Sequence, residues 1–503
     1  MGQVRRSLVH FAFGKGAAAL IGAGLLLVLV RLLDVADYGF YVASQAALEL
    51  VTQVSSLGLI VVAQRYLPEL RVLHQGKRLA RLLAILCLGR LATLLVICSG
   101  LYLLADLIAA RFELEMFLGA FRLFLLVIVV EGLARFLDEI FDSLMMQGVS
   151  QVSMLLRSGL RLGLVSIVHY GADDGLSLHA WILIECISSL LGCAWSLACL
   201  LRFGSRVRRD SPGEDDGLEL RRYFKYAGPT FIAATLYTAS GPNVVKLLAA
   251  RLLESTQFAA FGFAAAFSAM LQRYLPMFLL IRMVRPLFVA ARQREDYRTR
   301  LPSMGALVFK LNAFALAPLV SLFAVAHADL AQILTGGKYP EAGGYLLAFL
   351  LVLLAQALRA VASLTAQAME NARAPLVGTA LGLVGLLFGV LAAERFGAYG
   401  LCVGLAVSEF MFALYVQRSL SSHGLMFAVD WRGYLRLLIA SVVAAGVVAA
   451  VSATFTQVTL WSLALAGGLS LGVFLFVAFV FKPFTNEERD VMNRLLKREV
   501  FVW

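Results

Sequence analysis

Charge is scarce in this chain. Only 15% of its 503 residues are Asp, Glu, Lys or Arg, where an average soluble domain carries roughly 25%. Cysteine is scarce too. The six (Cys87, Cys98, Cys186, Cys193, Cys199 and Cys402) all fall in apolar stretches, and none has CxxC or zinc-ligand spacing. They read as small buried residues and say nothing of redox compartment. The six histidines are scattered, and no His/Asp/Glu cluster has metal spacing. Neither Gly14-Lys15-Gly16 nor Gly336-Gly337-Lys338 has the spacing or the following Ser/Thr of a phosphate-binding P-loop. These absences argue against metal sites, nucleotide hydrolysis by that route, any cofactor and enzymatic activity.

What is present is apolar sequence. The chain is 60% hydrophobic, with mean hydropathy +0.83. A bilayer core needs about 20 apolar residues per helix. About fourteen such stretches occur, near 7–30, 41–64, 82–104, 116–136, 151–168, 180–201, 227–249, 258–281, 304–326, 345–367, 376–393, 398–417, 435–454 and 461–481. The first is too long, and too lacking in an Ala-x-Ala-like exit, for a cleaved signal peptide. The sequence therefore predicts an all-α polytopic membrane protein of about 14 transmembrane helices.

The net charge of +12 could suggest nucleic acid, but its placement points to a membrane. With the first Met in the cytoplasm, 29 of the 44 Lys and Arg fall in cytoplasmic segments and five (Arg31, Arg111, Arg251, Lys338 and Arg395) outside. This asymmetry predicts a bacterial inner-membrane protein with both termini cytoplasmic. The turn near 138–150, acidic through Asp138, Glu139 and Asp142, dissents, but acids contribute little to orientation.

The longest loop, 202–225, is charged, carries Pro212, Gly213 and Gly217, and reads as a flexible cytoplasmic linker. Its flanks resemble one another. Arg31, Leu32 and Leu33 recur as Arg251, Leu252 and Leu253, and Pro68 is echoed by Pro286. The expected organisation is a six-helix lobe over 1–201, the linker, a second six-helix lobe over 226–420, an appended helix pair over 421–482 and a tail over 483–503. An even number per lobe makes the repeats parallel, a layout found among secondary transporters.

Ten basic residues remain at membrane depth: Lys15, Arg90, Arg122, Arg135, Arg157, Arg161, Lys246, Arg273, Lys310 and Arg359. The acids there are Glu49, Glu131, Glu185 and Glu409, an apparent balance near +6. Each central charge costs about 2.5–3.5 kcal/mol on insertion scales. Some of the cations (Arg135, Arg157, Lys246 and Lys310) could snorkel to headgroups. Glu131 and Arg135, four apart on one helix face, could pair. Arg157 and Arg161 stack with no acid on their own face. A cationic cavity holding an anion, built from Arg90, Arg122, Arg157, Arg161, Lys246, Arg273, Lys310 and Arg359, gives the surplus a use. The four glutamates are the candidates for ion coupling.

The run RLLDVADYGFYVASQAALEL at 31–50 and SSLGLIVVAQRYLPEL at 55–70, with a small-residue first helix, resemble the amino-terminal signature of Wzx-type polysaccharide and O-antigen flippases. These belong to the multidrug/oligosaccharidyl-lipid/polysaccharide exporter superfamily. The second half departs from the pattern in having Ala259 where the first has Gly39. The resemblance implies two six-helix lobes in a V around a cavity. It implies alternating access that moves a polyprenyl-diphosphate-linked oligosaccharide from the cytoplasmic to the periplasmic leaflet. Pathway partners would be a polysaccharide polymerase and glycosyltransferases, with membrane lipid around the protein. A lipid-linked peptidoglycan-precursor flippase shares the plan. A drug antiporter of the same superfamily would have an acidic cavity, and a polymerase a longer outside loop.

Overall fold

The computed structural model describes residues 20–112, 114–171, 176–209, 220–371, 373–427, 429–454, 459–496 and 501–503. These are helical, with no strand among them. Lys15, most of the first apolar stretch and the middle of the 202–225 linker lie outside the described residues. The chain divides into two compact units, Met1–Leu247 and Leu248–Trp503.

The first unit begins with α1 (Leu20–Leu32), α2 (Val35–Val54), α3 (Leu59–Val72), α4 (Gly76–Leu103) and the short α5 (Ala105–Phe112). It continues with α6 (Leu118–Ser143), α7 (Gln147–Gly171), α8 (Leu178–Arg209) and α9 (Leu220–Ala239). α10 (Pro242–Leu252) carries the boundary. α6 is the hub, packing on α4, α7 and α8, while α9 packs on α2 and α3.

The second unit holds α11 (Ser255–Gln272), α12 (Pro276–Arg292), α13 (Tyr297–Thr335), α14 (Ala342–Ala368) and α15 (Arg373–Phe396). α16 (Ala398–Ser421), α17 (Trp431–Thr454), α18 (Leu460–Phe481) and α19 (Asn486–Leu496) complete it. Its tightest pair is α15 on α16. Gly378, Gly382, Gly385 and Gly389 of α15 recur at helical spacing and face Gly404, Ser408 and Phe412. A Cβ at Gly385 would overlap the Ser408 backbone, and one at Gly404 would overlap Gly389. Small residues let the two backbones approach, which is how helices gain contact in lipid where no hydrophobic drive separates them from the tails.

The expected count of fourteen spans is not matched. Among the described residues ten helices are long and apolar enough to cross a membrane, or eleven if the bent pair α2–α3 is one span. Of the three stretches that make the difference, the first lies mostly outside the described residues, and the other two are interrupted by local breaks. The stretch 227–249 is divided at Ser240–Gly241 into α9 and α10, and 258–281 is divided near Arg273–Leu275 into α11 and α12. Both breaks are followed by proline at the first helical position, Pro242 and Pro276, where a missing N–H costs nothing. Hydropathy averaged over twenty residues does not register such breaks.

Candidate functional site

In the first unit, α6 supplies Glu131, Arg135 and Asp138 on one face, since 3.6 residues per turn brings positions 131, 135 and 138 into register. Asp138, expected in a turn, lies inside α6 because the helix runs on to Ser143. Facing it, α7 presents Arg157 and Arg161. Glu131 is the centre. Its Oε1 accepts from Arg135 Nε and from Arg157 Nη1, each at 2.8 Å. Its Oε2 accepts from Arg161 Nη2 at 2.8 Å and from the Ser189 hydroxyl of α8 at 2.7 Å. Arg157 also pairs with Asp138.

The network extends to α2 and α8. Arg135 Nη1 donates to Glu49 Oε1 of α2 at 2.5 Å. Arg161 lies 3.5 Å from Glu185 of α8, which accepts from Gln45 Nε2 at 2.9 Å. Three guanidiniums thus meet four carboxylates. Most of this is sealed, with the Glu131 side chain 5% exposed. One edge is open: the side chains of Arg135 and Glu49 are 37% and 44% exposed. Arg161 Nε and Glu185 Oε2 are buried without a hydrogen-bond partner, so the network is not fully satisfied.

Arg157 and Arg161, read as having no acid on their own helix face, are not left without one. Their counter-ions come from other helices, Glu131 of α6 and Glu185 of α8. The apparent surplus near +6 shrinks for a similar reason. Asp106, Asp138, Asp430 and Glu488 lie beyond the stretches read as apolar, yet each pairs with a cation counted inside them.

The remaining expected cations have surroundings of their own. Arg122 of α6 pairs with exposed Asp106 at 2.7 Å and lies over the Tyr102 ring. Lys246 of α10 reaches Asn243 at 3.4 Å, one turn away. Arg273 is exposed, in the break after α11. Arg90 of α4 is 1% exposed and has no carboxylate partner among the described residues. It donates to Ser55 Oγ and Thr52 O, at 2.8 and 2.9 Å.

Within the second unit, Arg359 of α14 donates to Glu409 Oε2 of α16 at 2.9 Å and to Thr379 of α15 at 3.2 Å, with its guanidinium over the Phe412 ring at 3.9 Å. Lys310 of α13 is buried against Asp430 at 2.5 Å and Glu488 at 2.8 Å, tying α13 to the start of α17 and to α19. Burial opposes the Asp430 charge, but the Lys310 and Gly433 hydrogen bonds and the Lys310 and Arg436 charges outweigh it and hold the carboxyl below its ordinary range. The partners that sequence reading missed include Asp106, Asp138, Ser189, Gln45, Thr379, Asp430 and Glu488. Only Asp138 left a local signal, its spacing from Glu131.

The chain has the fold of known membrane transporters. It superimposes on a lipid II flippase, MurJ, in an inward closed conformation, with a TM-score of 0.70 over 97% of this chain and 100% of that one, at 11% identity. It is similar to the Vibrio cholerae MATE transporter VcmN, with a TM-score of 0.56 over 84% and 99%, at 17% identity. An inward-facing multidrug resistance MATE family transporter of the MOP superfamily matches at 0.56 over 80% and 98%, at 15% identity. The fold is that of this exporter superfamily, and the protein is a multi-pass membrane protein. No curated protein matches the chain by sequence. The model of the polysaccharide biosynthesis protein family matches residues 4–280, more than half of the chain, and the chain belongs to that family.

Proposed function

We propose that the protein is a flippase of the Wzx type, moving a polyprenyl-diphosphate-linked oligosaccharide from the cytoplasmic to the periplasmic leaflet of a bacterial inner membrane by alternating access. Both termini lie in the cytoplasm on this reading. The observation that carries it is the family match over 4–280, a region that contains the whole buried arginine network of the first unit.

The network supplies chemistry suited to a diphosphate. Arginine keeps its charge and binds phosphate oxygens through a planar fork. With four carboxylates against three guanidiniums, an anion enters only by displacing one carboxylate. The open edge offers the least costly exchange: Glu49 leaves Arg135, and the diphosphate takes its place. Glu49, at that open edge, with Glu131 and Glu185 behind it, is our candidate for ion coupling. Arg157 and Arg161 hold the deeper end of the path. Arg122, Lys246, Arg273, Lys310 and Arg359 belong to the wider set of substrate-binding candidates, and Glu409 to the coupling candidates. A polysaccharide polymerase and glycosyltransferases would be its partners in the pathway.

The test is transport itself. Cells lacking the protein should lose surface polysaccharide and accumulate the lipid-linked oligosaccharide in the cytoplasmic leaflet. Purified protein in liposomes should move a fluorescent polyprenyl-diphosphate glycan, and Arg135→Ala should slow it about tenfold, the equivalent of roughly 1.4 kcal/mol. Unchanged surface polysaccharide and no flipping in liposomes would sink the proposal. The likeness to a lipid II flippase over 97% of the chain favours one second reading, a peptidoglycan-precursor flippase. On that reading, loss of the protein stops cell-wall synthesis and causes lysis instead.

A further inference from the structure

We infer that Arg90 is a positioning residue that latches the broken span α2–α3 in its bent form. The two helices are bent by 56° across Ser55–Gly58, where Leu57 and Gly58 both take positive φ, 43° and 83°. Left-handed backbone suits glycine and strains leucine, so something outside the turn must hold it. The break also strands backbone groups. In a continuous helix Thr52 O would accept from Ser56 N–H four residues on; here Ser56 N–H donates to Gln53 O, and within the turn Thr52 O receives only a long bond, 3.4 Å, from the Ser55 hydroxyl. A carbonyl that has lost its backbone donor and keeps only so long a bond is costly at membrane depth.

Arg90 fills that need. From the middle of α4, Nη2 donates to Thr52 O at 2.9 Å and Nη1 to the Ser55 hydroxyl at 2.8 Å. The guanidinium lies over the Phe136 ring of α6 at 5.7 Å. Its Nε has no partner, and no carboxylate pairs with it among the described residues. The dependence therefore runs both ways. Straightening the span would return Thr52 O to Ser56 N–H and take a backbone acceptor from a buried, permanently charged group. Most of the cation's compensation exists only while the span is bent. Gly58 tightens the same corner, since a Cβ there would press on Ala227 of α9. This assignment does not depend on the substrate, and its test reads geometry rather than export.

The experiment uses the purified full chain without its native cysteines, with spin labels at Asp34→Cys and Val72→Cys, at the two ends of the bent pair. At 1.5 Å per residue α2 and α3 are about 30 and 21 Å long, so full straightening lengthens the span by about 6 Å. Arg90→Met should shift the distance distribution toward that longer value. Arg90→Lys, which keeps a donor but loses the fork, should shift it less, and Ser55→Ala should give an intermediate broadening. If Arg90→Met does not accumulate, Ser55→Ala and Arg90→Lys decide the matter. Lengthening or broadening in either supports the latch, and distributions matching the unsubstituted protein in every variant that accumulates overturn it.

Discussion

At the scale of the residue, Glu131 faces three guanidiniums with two oxygens. Replacing it by Gln leaves Arg157 leaning on Asp138, Arg161 on Glu185 and Arg135 on Glu49. Removing one partner of a buried charge set costs about 3 kcal/mol or more, because the others stay buried. Glu131→Gln should therefore lower membrane abundance and the melting temperature in detergent. Glu49→Gln, at the open edge, should do so far less, and equal losses would contradict the network. The Glu131–Arg135 pair was legible in the sequence because i,i+4 spacing fixes it. The partners of Arg157 and Arg161 were not, since helix order in the chain does not say which faces meet. The partners of Arg90 were not legible for a related reason: a bend in another helix created its acceptors.

At the scale of the element, α15 and α16 depend on glycines that only close approach explains. Gly385→Leu would drive a side chain into the Ser408 backbone, and overpacking of that kind costs about 3 kcal/mol. Gly446 of α17 has nothing within 4 Å of a built Cβ, so Gly446→Leu should be neutral or slightly stabilising, given the better helix propensity of leucine. Thermal unfolding of the two variants in detergent checks this, and equal stability would mean that the α15–α16 contact is not built on small residues. The helical stretches themselves were legible from hydropathy. Their breaks were not, although Pro242 and Pro276 marked the places, because a proline at a helix start and a proline inside a kinked span look alike in sequence.

At the scale of the whole molecule, the Lys and Arg asymmetry predicts that residue 293 faces the cytoplasm and residue 340 the periplasm. Both side chains are exposed. In a cysteine-free background, an impermeant thiol reagent on intact cells should label Pro340→Cys and spare Gln293→Cys, and the opposite pattern would invert the orientation. The superfamily fold was legible from composition, the charge asymmetry and the amino-terminal signature. The pairing of Lys310 carries a consequence for how the chain is made. Its two acids follow it by 120 and 178 residues. At about 5–20 residues per second, the second is synthesised roughly 10–35 s after the lysine. A ribosome that stops before residue 430 leaves the Lys310 ammonium with neither acid, and one that stops between Asp430 and α19 leaves it with Asp430 alone.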